Sequence, residues 1–340
     1  MWRNYLTVGL RALTKNRTYA FINIFGLAVG LAACLMLLIY VRYERSYDEW
    51  LPGAGNIYQV QSHFRDRDTG EEGDYQMSPY VAGRSLRKDY PQIAASVYAL
   101  SSSPVVLRGG EALPTENAVL VDNLFFDVLP IPLVAGNPRT ALRQPGSIVL
   151  NESEARRFFG DANPVGQTLT LILRGRNVDH RVTGVMRDLP RNSHLRLSIV
   201  ARLDFNSYFA EMPEFLTQWG WNSGWNYVRL RDGVDVDSIN GQMPQWERRN
   251  IPDDNFGNQT TNQGDNYDWR LVNVRDVHLG PAQDDSLNPG NDERTILTFT
   301  IIAFLILGMA VVNFTNLATA RASQRAREVA LRKALGANRR

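Results

Sequence analysis

Residues 20–41 read AFINIFGLAVGLAACLMLLIYV, and this stretch decides what class of protein the chain is. It contains no charged side chain in 22 residues, and Asn23 is its one strongly polar residue. A helix rising about 1.5 Å per residue would cross a hydrocarbon core of roughly 30 Å over this length. Helices of soluble proteins seldom stay apolar on every side for so long. We therefore predict a membrane-spanning helix at residues 20–41.

A second apolar stretch near the carboxyl end, residues 296–318, reads ILTFTIIAFLILGMAVVNFTNLA and is also uncharged. Its length again suits a bilayer. Asn313 and Asn316 lie one helical turn apart near its end. An amide side chain in hydrocarbon needs a polar partner, so we predict that both asparagines contact another helix. The two spans enclose residues 45–294, which are numerous enough to bury a core of their own.

The charged residues are segregated along the chain. Six Lys and Arg accompany one acid in residues 1–45, and eight accompany one acid in 294–340, whereas residues 46–293 hold 23 basic and 33 acidic side chains. Basic ends could bind nucleic acid. Beside apolar spans, however, basic flanks mark the cytoplasmic side of the membrane. The pattern therefore predicts no nucleic-acid partner, both ends in the cytoplasm, and residues 45–294 on the other side.

Two alternatives exist for the first span. A cleaved signal peptide would have a shorter apolar run and a shorter leading segment. Leu31-Ala-Ala-Cys34 matches a lipoprotein cleavage site, but seven more apolar residues follow Cys34, where a lipoprotein turns polar. We expect a buried thiol at Cys34 instead. Residues 1–19 precede the span, and 2–17 have the pattern of an amphipathic helix in the cytoplasmic interface or of the span's ragged start.

Residues 45–294 alternate between strand-like and helix-like patterns. The predicted strands are 57–61, 118–122, 147–150, 226–230 and 269–279, with a hairpin of 167–173 and 180–186, and the predicted helices are 78–88, 151–159 and 236–250. Asn151 and Glu154 form a capping-box pattern, and Gly160 ends that helix. Two polar stretches are predicted loops, 253–268 and the tether 284–291. The predicted fold is a membrane protein in which two transmembrane α-helices flank a mixed α+β extracytoplasmic domain.

The sequence offers little catalytic or metal-binding chemistry. The four histidines lack the paired spacing of a zinc site, and the chain has neither a G-x-S-x-G elbow nor an H-E-x-x-H motif. It also lacks the phosphate loop G-x-x-x-x-G-K-S/T. The acidic pairs at 253–254 and 284–285 lack the spacing of a calcium loop. We therefore predict no catalytic residue, no metal and no cofactor in this chain. Trp219, Trp221 and Trp225 form either a docking surface or part of the core.

Residues 319–340, beyond the second span, are strongly basic. Four charged positions share one helical face, namely Arg321, Arg325, Glu328 and Arg332. Glu328 precedes Arg332 by four residues, which is the favourable order for an ion pair on a helix, and Gly336 is a natural helix stop. On its own, such a helix could bind anionic lipid or a cytoplasmic partner.

From Asn313 to Ala337 the sequence NFTNLATARASQRAREVALRKALGA resembles the cytoplasmic signature of MacB/FtsX-like ABC-transporter permeases. The domain between the spans resembles the MacB-like periplasmic core domain. The matching segments are 56–58, 125–126, 133–136, 147–153, 159–160, 163–166, 182–185, Pro190 and 193–194. The amino end also fits the family at Asn16, Ile24, Gly26, Leu27 and Gly30.

The resemblance implies that residues 319–340 include a coupling helix that sits on a separate ABC ATPase, which would bind ATP and Mg²⁺. The contact would involve Arg325, Glu328, Arg332, Lys333 and Gly336. It further implies a multi-pass permease of the bacterial inner membrane that moves its outer domain by mechanotransmission to export a drug, peptide, lipid or lipoprotein. A second permease copy, membrane lipid and a periplasmic adaptor are the other implied partners.

Members of this family continue into further spans or carry a second repeat. The resemblance therefore predicts that this chain is a fragment, or the first part of a permease, whose FtsX-like domain starts at 319–340. The alternative function is a two-span sensor or regulator whose outer domain binds a ligand. Such a sensor would need an output domain after the second span.

Overall fold

The structure is a computed structural model that describes residues 17–65, 69–256 and 259–335. The chain divides into two compact units. We call Met1–Arg45 with Glu293–Arg340 the helix pair, and Ser46–Asp292 the large unit. The predicted interfacial helix at 2–17 lies outside the described residues, apart from Arg17.

The helices follow from the apolar runs and end signals of the sequence. They are α1 (Arg17–Arg45), α2 (Tyr80–Asp89), α3 (Phe125–Val128), α4 (Glu152–Phe159), α5 (Phe205–Tyr208), α6 (Val236–Asn250), α7 (Gln263–Asn266) and α8 (Glu293–Ala334), with 3₁₀ turns at Ala54–Asn56 and Pro213–Leu216. Two stretches, Phe21–Arg45 and Glu293–Ala320, are long and apolar enough to cross a membrane.

The helix pair packs along a seam. The less exposed positions of both helices recur every three or four residues, which is the spacing of a coiled-coil seam. The helices run antiparallel, because the ring of Tyr40 meets that of Phe299 at 5.6 Å while the Cys34 Sγ lies 3.4 Å from the Ala303 carbonyl oxygen further along. Cys34 is 2% exposed, which confirms the expected buried thiol.

The large unit is built on one mixed sheet. Its strands are β1 (Ile57–Arg65), β2 (Glu72–Tyr75), β3 (Ser78–Pro79), β4 (Ile93–Ser102), β5 (Val105–Arg108), β6 (Glu111–Pro114), β7 (Ala118–Val121), β8 (Leu133–Gly136), β9 (Ser147–Asn151), β10 (Thr168–Leu173), β11 (Arg176–Met186), β12 (Ile199–Arg202), β13 (Asn222–Leu230) and β16 (Tyr267–Asn273). A separate hairpin holds β14 (Asp253–Phe256) and β15 (Gln259–Asn262).

The strand order of the main sheet is β16-β1-β13-β4-β7-β12-β9-β11-β10-β5-β6, with β2, β3 and β8 added beside β1, β13 and β11. Neighbours are antiparallel except for β7 with β12 and β9 with β11. Strand β7 is buried over its whole length, and β9 and β12 are buried at all but their last residue, which explains their continuous apolar runs. The two-helix, mixed α+β architecture predicted from the sequence is confirmed.

Several local predictions hold because their signals lie within short stretches. Helix α6 has the predicted bounds, and β10 and β11 pair as the predicted hairpin. The Asn151 side chain accepts the Glu154 N–H at 2.8 Å, and Gly160 ends α4 with φ +60°. The second hydrogen bond of a capping box, from the Asn151 N–H to the Glu154 side chain, was predicted wrongly, because the Asn151 N–H donates to the Ser198 carbonyl instead.

Other local predictions were wrong where partners from elsewhere in the chain decide the conformation. The predicted loop 253–268 holds the β14–β15 hairpin, α7 and the start of β16. The predicted helix 78–88 begins only at Tyr80, because Ser78 and Pro79 pair with β13. The predicted strand 269–279 ends at Asn273, whose side chain turns back to the carbonyls of the first 3₁₀ turn.

Helix α6 covers one end of the sheet with a tryptophan cluster. Trp246 lies 5.7 Å from Trp219 between ring centroids, and Trp219 lies 5.8 Å from Trp269. Of the three tryptophans that lie close together in the sequence, Trp219 and Trp225 are buried and belong to the core, whereas Trp221 is 40% exposed. Two of these three tryptophans therefore belong to the core and not to a docking surface.

Glu247 of α6 is a buried carboxyl at the edge of this cluster. It is 3% exposed, and its Oε1 accepts a hydrogen bond from the Trp269 backbone N–H at 2.8 Å. Burial raises the pKa of Glu247 from 4.5 to about 8, because removal from water disfavours the charged form. The protonated carboxyl therefore stabilises the fold fully below pH 4.5, and this contribution is lost as the pH rises toward 8.

We expect Glu247→Gln to remove most of this pH dependence, because glutamine fills the same space without ionising. At pH 8.5 the variant should be more stable than the original chain by about 1 to 3 kcal/mol, with little difference at pH 4.5. Urea unfolding at both pH values measures this. Glu111→Gln, at an exposed strand edge, is the control and should change neither curve. If the free energy of unfolding fell by the same amount between pH 4.5 and pH 8.5 in the Glu247 variant and in the original chain, the raised pKa of Glu247 would be contradicted.

Candidate functional site

The first segment after α1, residues 46–51, is anchored in the large unit by Asp48. This residue is 0% exposed and has a left-handed backbone, with φ +57°. Its carboxylate accepts hydrogen bonds from the Ser193 hydroxyl at 2.7 Å, the His194 backbone N–H at 3.0 Å and the His194 Nδ1 at 2.8 Å. The partners lie about 145 residues further along the chain, so the bonds tie residues 46–51 to a distant loop.

A chain of buried polar groups continues from His194 into the sheet. His194 Nε2 lies 3.0 Å from the Tyr227 hydroxyl, and the Gln59 amide donates to the same hydroxyl at 3.2 Å. The Gln61 amide in turn donates to Gln59 Oε1 at 2.9 Å. His194 Nδ1 donates to Asp48 and its Nε2 pairs with the Tyr227 hydroxyl, so both ring nitrogens have a partner. We call Asp48, Ser193, His194, Tyr227 and Gln59 the Asp48 network.

The pKa values of Asp48 and Tyr227 are shifted in opposite directions. Burial acts to raise the pKa of Asp48, but the charge and hydrogen bonds of His194, with the Ser193 hydroxyl, outweigh it and hold that pKa below its usual value. Burial raises the pKa of Tyr227 far above its usual range. Asp48 is therefore an anion at neutral pH, and Tyr227 keeps its proton.

The segment that leads into α8 is held by the same loop. The Asn288 amide donates to the Ser193 carbonyl at 2.8 Å, and the Trp225 indole donates to the Asp285 carbonyl at 2.9 Å. The rings of Tyr47 and His278 stack with 3.3 Å between centroids. The predicted tether at 284–291 is thus packed against the rest of the large unit. Both segments that continue into the spans meet at residues 192–194.

The Asp–His–Tyr arrangement resembles a catalytic relay, but its burial excludes that role in this conformation. Asp48, His194 and Tyr227 are 0%, 2% and 0% exposed, so no substrate atom can reach them. Every polar atom is instead used in holding chain segments together. Among the described residues there is also no group of three His, Cys, Asp or Glu side chains able to hold a metal ion. The geometry is that of a mechanical anchor.

The predicted coupling positions lie on the last turns of α8. This helix is unbroken over 42 residues, from Glu293 to Ala334, so the expected short basic helix is a direct continuation of the second span. Arg332 and Lys333 are exposed. Helical periodicity places 325, 328 and 332 on one side and Lys333 about a quarter turn away. Gly336 lies outside the described residues.

The two asparagines of the second span differ in their surroundings. Asn313 is half-buried and continues the seam against α1, whereas Asn316 is exposed on the outer side of the helix pair. The prediction that both contact another helix stays a prediction. If it holds, the partner of Asn316 is a helix other than α1, because Asn316 does not lie on the seam.

A comparison with protein families matches residues 20–246 to the MacB-like periplasmic core domain. The chain belongs to this family. It is therefore a membrane protein with an extracytoplasmic domain, of the ABC-transporter permease type, and not itself catalytic. The match includes the first span, Asp48, His194 and Tyr227 and ends before α8. The resemblance to the MacB-like domain inferred from short motifs is confirmed.

Three solved structures resemble the MacB-like chain. A domain of a protein described as a permease from Porphyromonas gingivalis has a TM-score of 0.53 at 20% identity, covering 74% of this chain and 99% of its own. The periplasmic region of MacB from Actinobacillus actinomycetemcomitans has a TM-score of 0.42 at 16% identity, covering 66% of this chain and 91% of its own. The extracellular domain of the noncanonic ABC-type transporter YknZ from Gram-positive bacteria has a TM-score of 0.38 at 15% identity, covering 64% of this chain and 100% of its own. The first of these shows that the fold is shared. A search of the curated proteins gave no match.

The sequence did not single out the Asp48 network in this MacB-like chain. Asp48 follows the first span among the acidic residues Glu44 and Glu49, and His194 is one of four scattered histidines. The only available signal was the Ser193-His194 pair within the family-like segments. Nothing in the spacing of these residues indicates that they meet.

Proposed function

We propose that the chain is the permease subunit of an ABC transporter of the mechanotransmission type. Its two termini lie in the cytoplasm and Ser46–Asp292 lies on the opposite side of the inner membrane. A separate ATPase binds ATP and Mg²⁺ and contacts the basic end of α8. The observation that carries the proposal is the unbroken α8, which at about 1.5 Å per residue is about 63 Å long.

A helix of this length exceeds the roughly 30 Å of hydrocarbon that it must cross. Its remaining turns carry the basic residues on the cytoplasmic side. Because the helix is continuous, a displacement of its cytoplasmic turns would tilt or shift the whole span. The packing of the connecting segments within the large unit supports transmission, since residues 46–51 and 277–292 are bonded to the same loop.

The wider assembly follows from the family. Two permease units, or one chain with a second repeat, would face each other across a two-fold axis, with Asn316 available to a neighbouring helix. A periplasmic adaptor and membrane lipid would complete the contacts. Export of a drug, peptide, lipid or lipoprotein is the expected activity, and it requires no substrate path through the two helices described.

Co-purification tests the ATPase contact. The tagged chain is isolated from its native host, and an ABC ATPase is identified by its phosphate-loop sequence. We expect the double substitution Glu328→Gln with Arg332→Gln to lower recovery of that ATPase about tenfold or more, since two charged contacts are lost. Arg327→Gln removes one charge from the opposite side of α8 and is the matched control. Unchanged recovery and ATP turnover in the double variant would contradict the coupling role.

A further inference from the structure

A cavity of about 340 Å³ lies in the large unit and shares no residue with the Asp48 network. The carboxyl ends of β4 and β10 border it, together with the start of β13 and the segment after α5. Its volume lies at the lower end of the roughly 300–1,000 Å³ typical of small-molecule sites. Neither the proposed coupling nor the family match assigns it a role.

The lining of the cavity combines apolar and aromatic side chains with several serines. Leu120 and Phe215 are core residues, while Phe209 stacks on Phe215 with 5.1 Å between centroids. Trp221, 40% exposed, stands at the rim and tilts against Phe215. An exposed tryptophan beside an apolar cavity offers a large flat surface to a ligand. The lining therefore suits an aromatic or aliphatic body.

One polar group inside the cavity has no partner. Ser102 is 9% exposed, and its Oγ makes no hydrogen bond to any residue that the structure describes. Strand alternation puts Ser102 on the same face as Leu100, which also lines the cavity. A buried hydroxyl without a partner is costly. Ser102 is therefore a lining position at which a larger side chain would enter the cavity.

The rim carries a positive charge with no acidic partner. Arg174 lies in the β10–β11 turn, and its guanidinium covers the Phe209 ring at 4.6 Å and donates to Met212 Sδ at 3.3 Å. No carboxylate of the described chain is within ion-pair distance of Arg174, whereas Arg176 binds Glu211. The free guanidinium can receive a carboxylate in bidentate fashion.

We propose that this cavity binds a small organic anion with an apolar, ring-sized body, of the arylalkyl carboxylate class. The body lies against Phe215 and Trp221, and its carboxylate pairs with Arg174. The site is independent of ATPase coupling, so its failure would leave the proposed function standing.

Calorimetric titration of the full chain in lipid nanodiscs tests the site, with indole-3-propionate as the probe and indole-3-propionamide as its uncharged match. We expect saturable binding of the carboxylate. Arg174→Gln should weaken carboxylate binding about tenfold and leave amide binding almost unchanged. Ser102→Phe, which fills the cavity, should abolish both. Arg176→Gln, two residues away but outside the lining, should change neither.

Absence of saturable binding to the original chain at roughly millimolar probe would overturn the proposal. So would equal carboxylate affinity in the original chain and the Arg174 variant. Arg174 is exposed, so its replacement leaves the fold intact, and this arm decides the matter even if Ser102→Phe fails to fold. Circular dichroism of each variant monitors folding.

Discussion

Replacing Asp48 with alanine is expected to destabilise the large unit by about 3 to 5 kcal/mol, because each buried donor left without its acceptor costs about 1 to 3 kcal/mol. The change leaves the Ser193 hydroxyl and the His194 ring and backbone N–H without their acceptor. Urea unfolding of the detergent-solubilised chain measures the effect. Tryptophan fluorescence is a suitable signal, since six of the seven tryptophans lie in Ser46–Asp292.

A matched control separates the hydrogen bonds from the backbone strain at Asp48. Asp285 has the same φ of +57° but an exposed side chain. Asp285→Ala should therefore cost only about 1 to 2 kcal/mol, the penalty for alanine in a left-handed conformation. A double-mutant cycle of Asp48→Ala with His194→Ala should show strong coupling between the two sites. Similar costs for Asp48→Ala and Asp285→Ala would refute the anchoring role.

Proline at position 322 should uncouple ATP hydrolysis from the large unit while the ATPase stays bound. Ala322 lies just past the apolar stretch Glu293–Ala320, inside the unbroken α8. Proline removes a backbone hydrogen bond there and kinks or breaks the helix, at a cost of about 3 kcal/mol or more. The cytoplasmic turns could then still contact the ATPase, but their displacement would no longer reach the span.

A dye on a cysteine introduced at exposed position Glu49 reports movement beside the Asp48 network. Labelling is selective because Cys34, the only native cysteine, is buried. In the complex with its ATPase, the original chain should give a fluorescence change on ATP addition. The change should be about tenfold smaller in Ala322→Pro and normal in Ala322→Gln, since glutamine is a good helix former. An undiminished ATP response in the proline variant would show that helix continuity is not required.

The parts of the fold that the sequence predicted well are those with local causes. Apolar length identified both spans, since a bilayer imposes a minimum on any crossing helix. Helix α6 and the β10–β11 hairpin were located by periodicity and turn signals a few residues apart. The family, too, was recognisable from short motifs. These features depend on contacts within a few turns or between adjacent strands, so they can be predicted from the sequence alone.

The sequence by itself therefore determined that two apolar helices long enough to cross a membrane flank a mixed α+β domain. Only the tertiary structure decided that Asp48 meets His194, 146 residues away, and that Ser102 lines an apolar cavity. The physical reason is that a buried hydrogen bond or cavity depends on which distant segments the sheet brings together. Side-chain type reveals what a residue could bind, and the fold selects the partner.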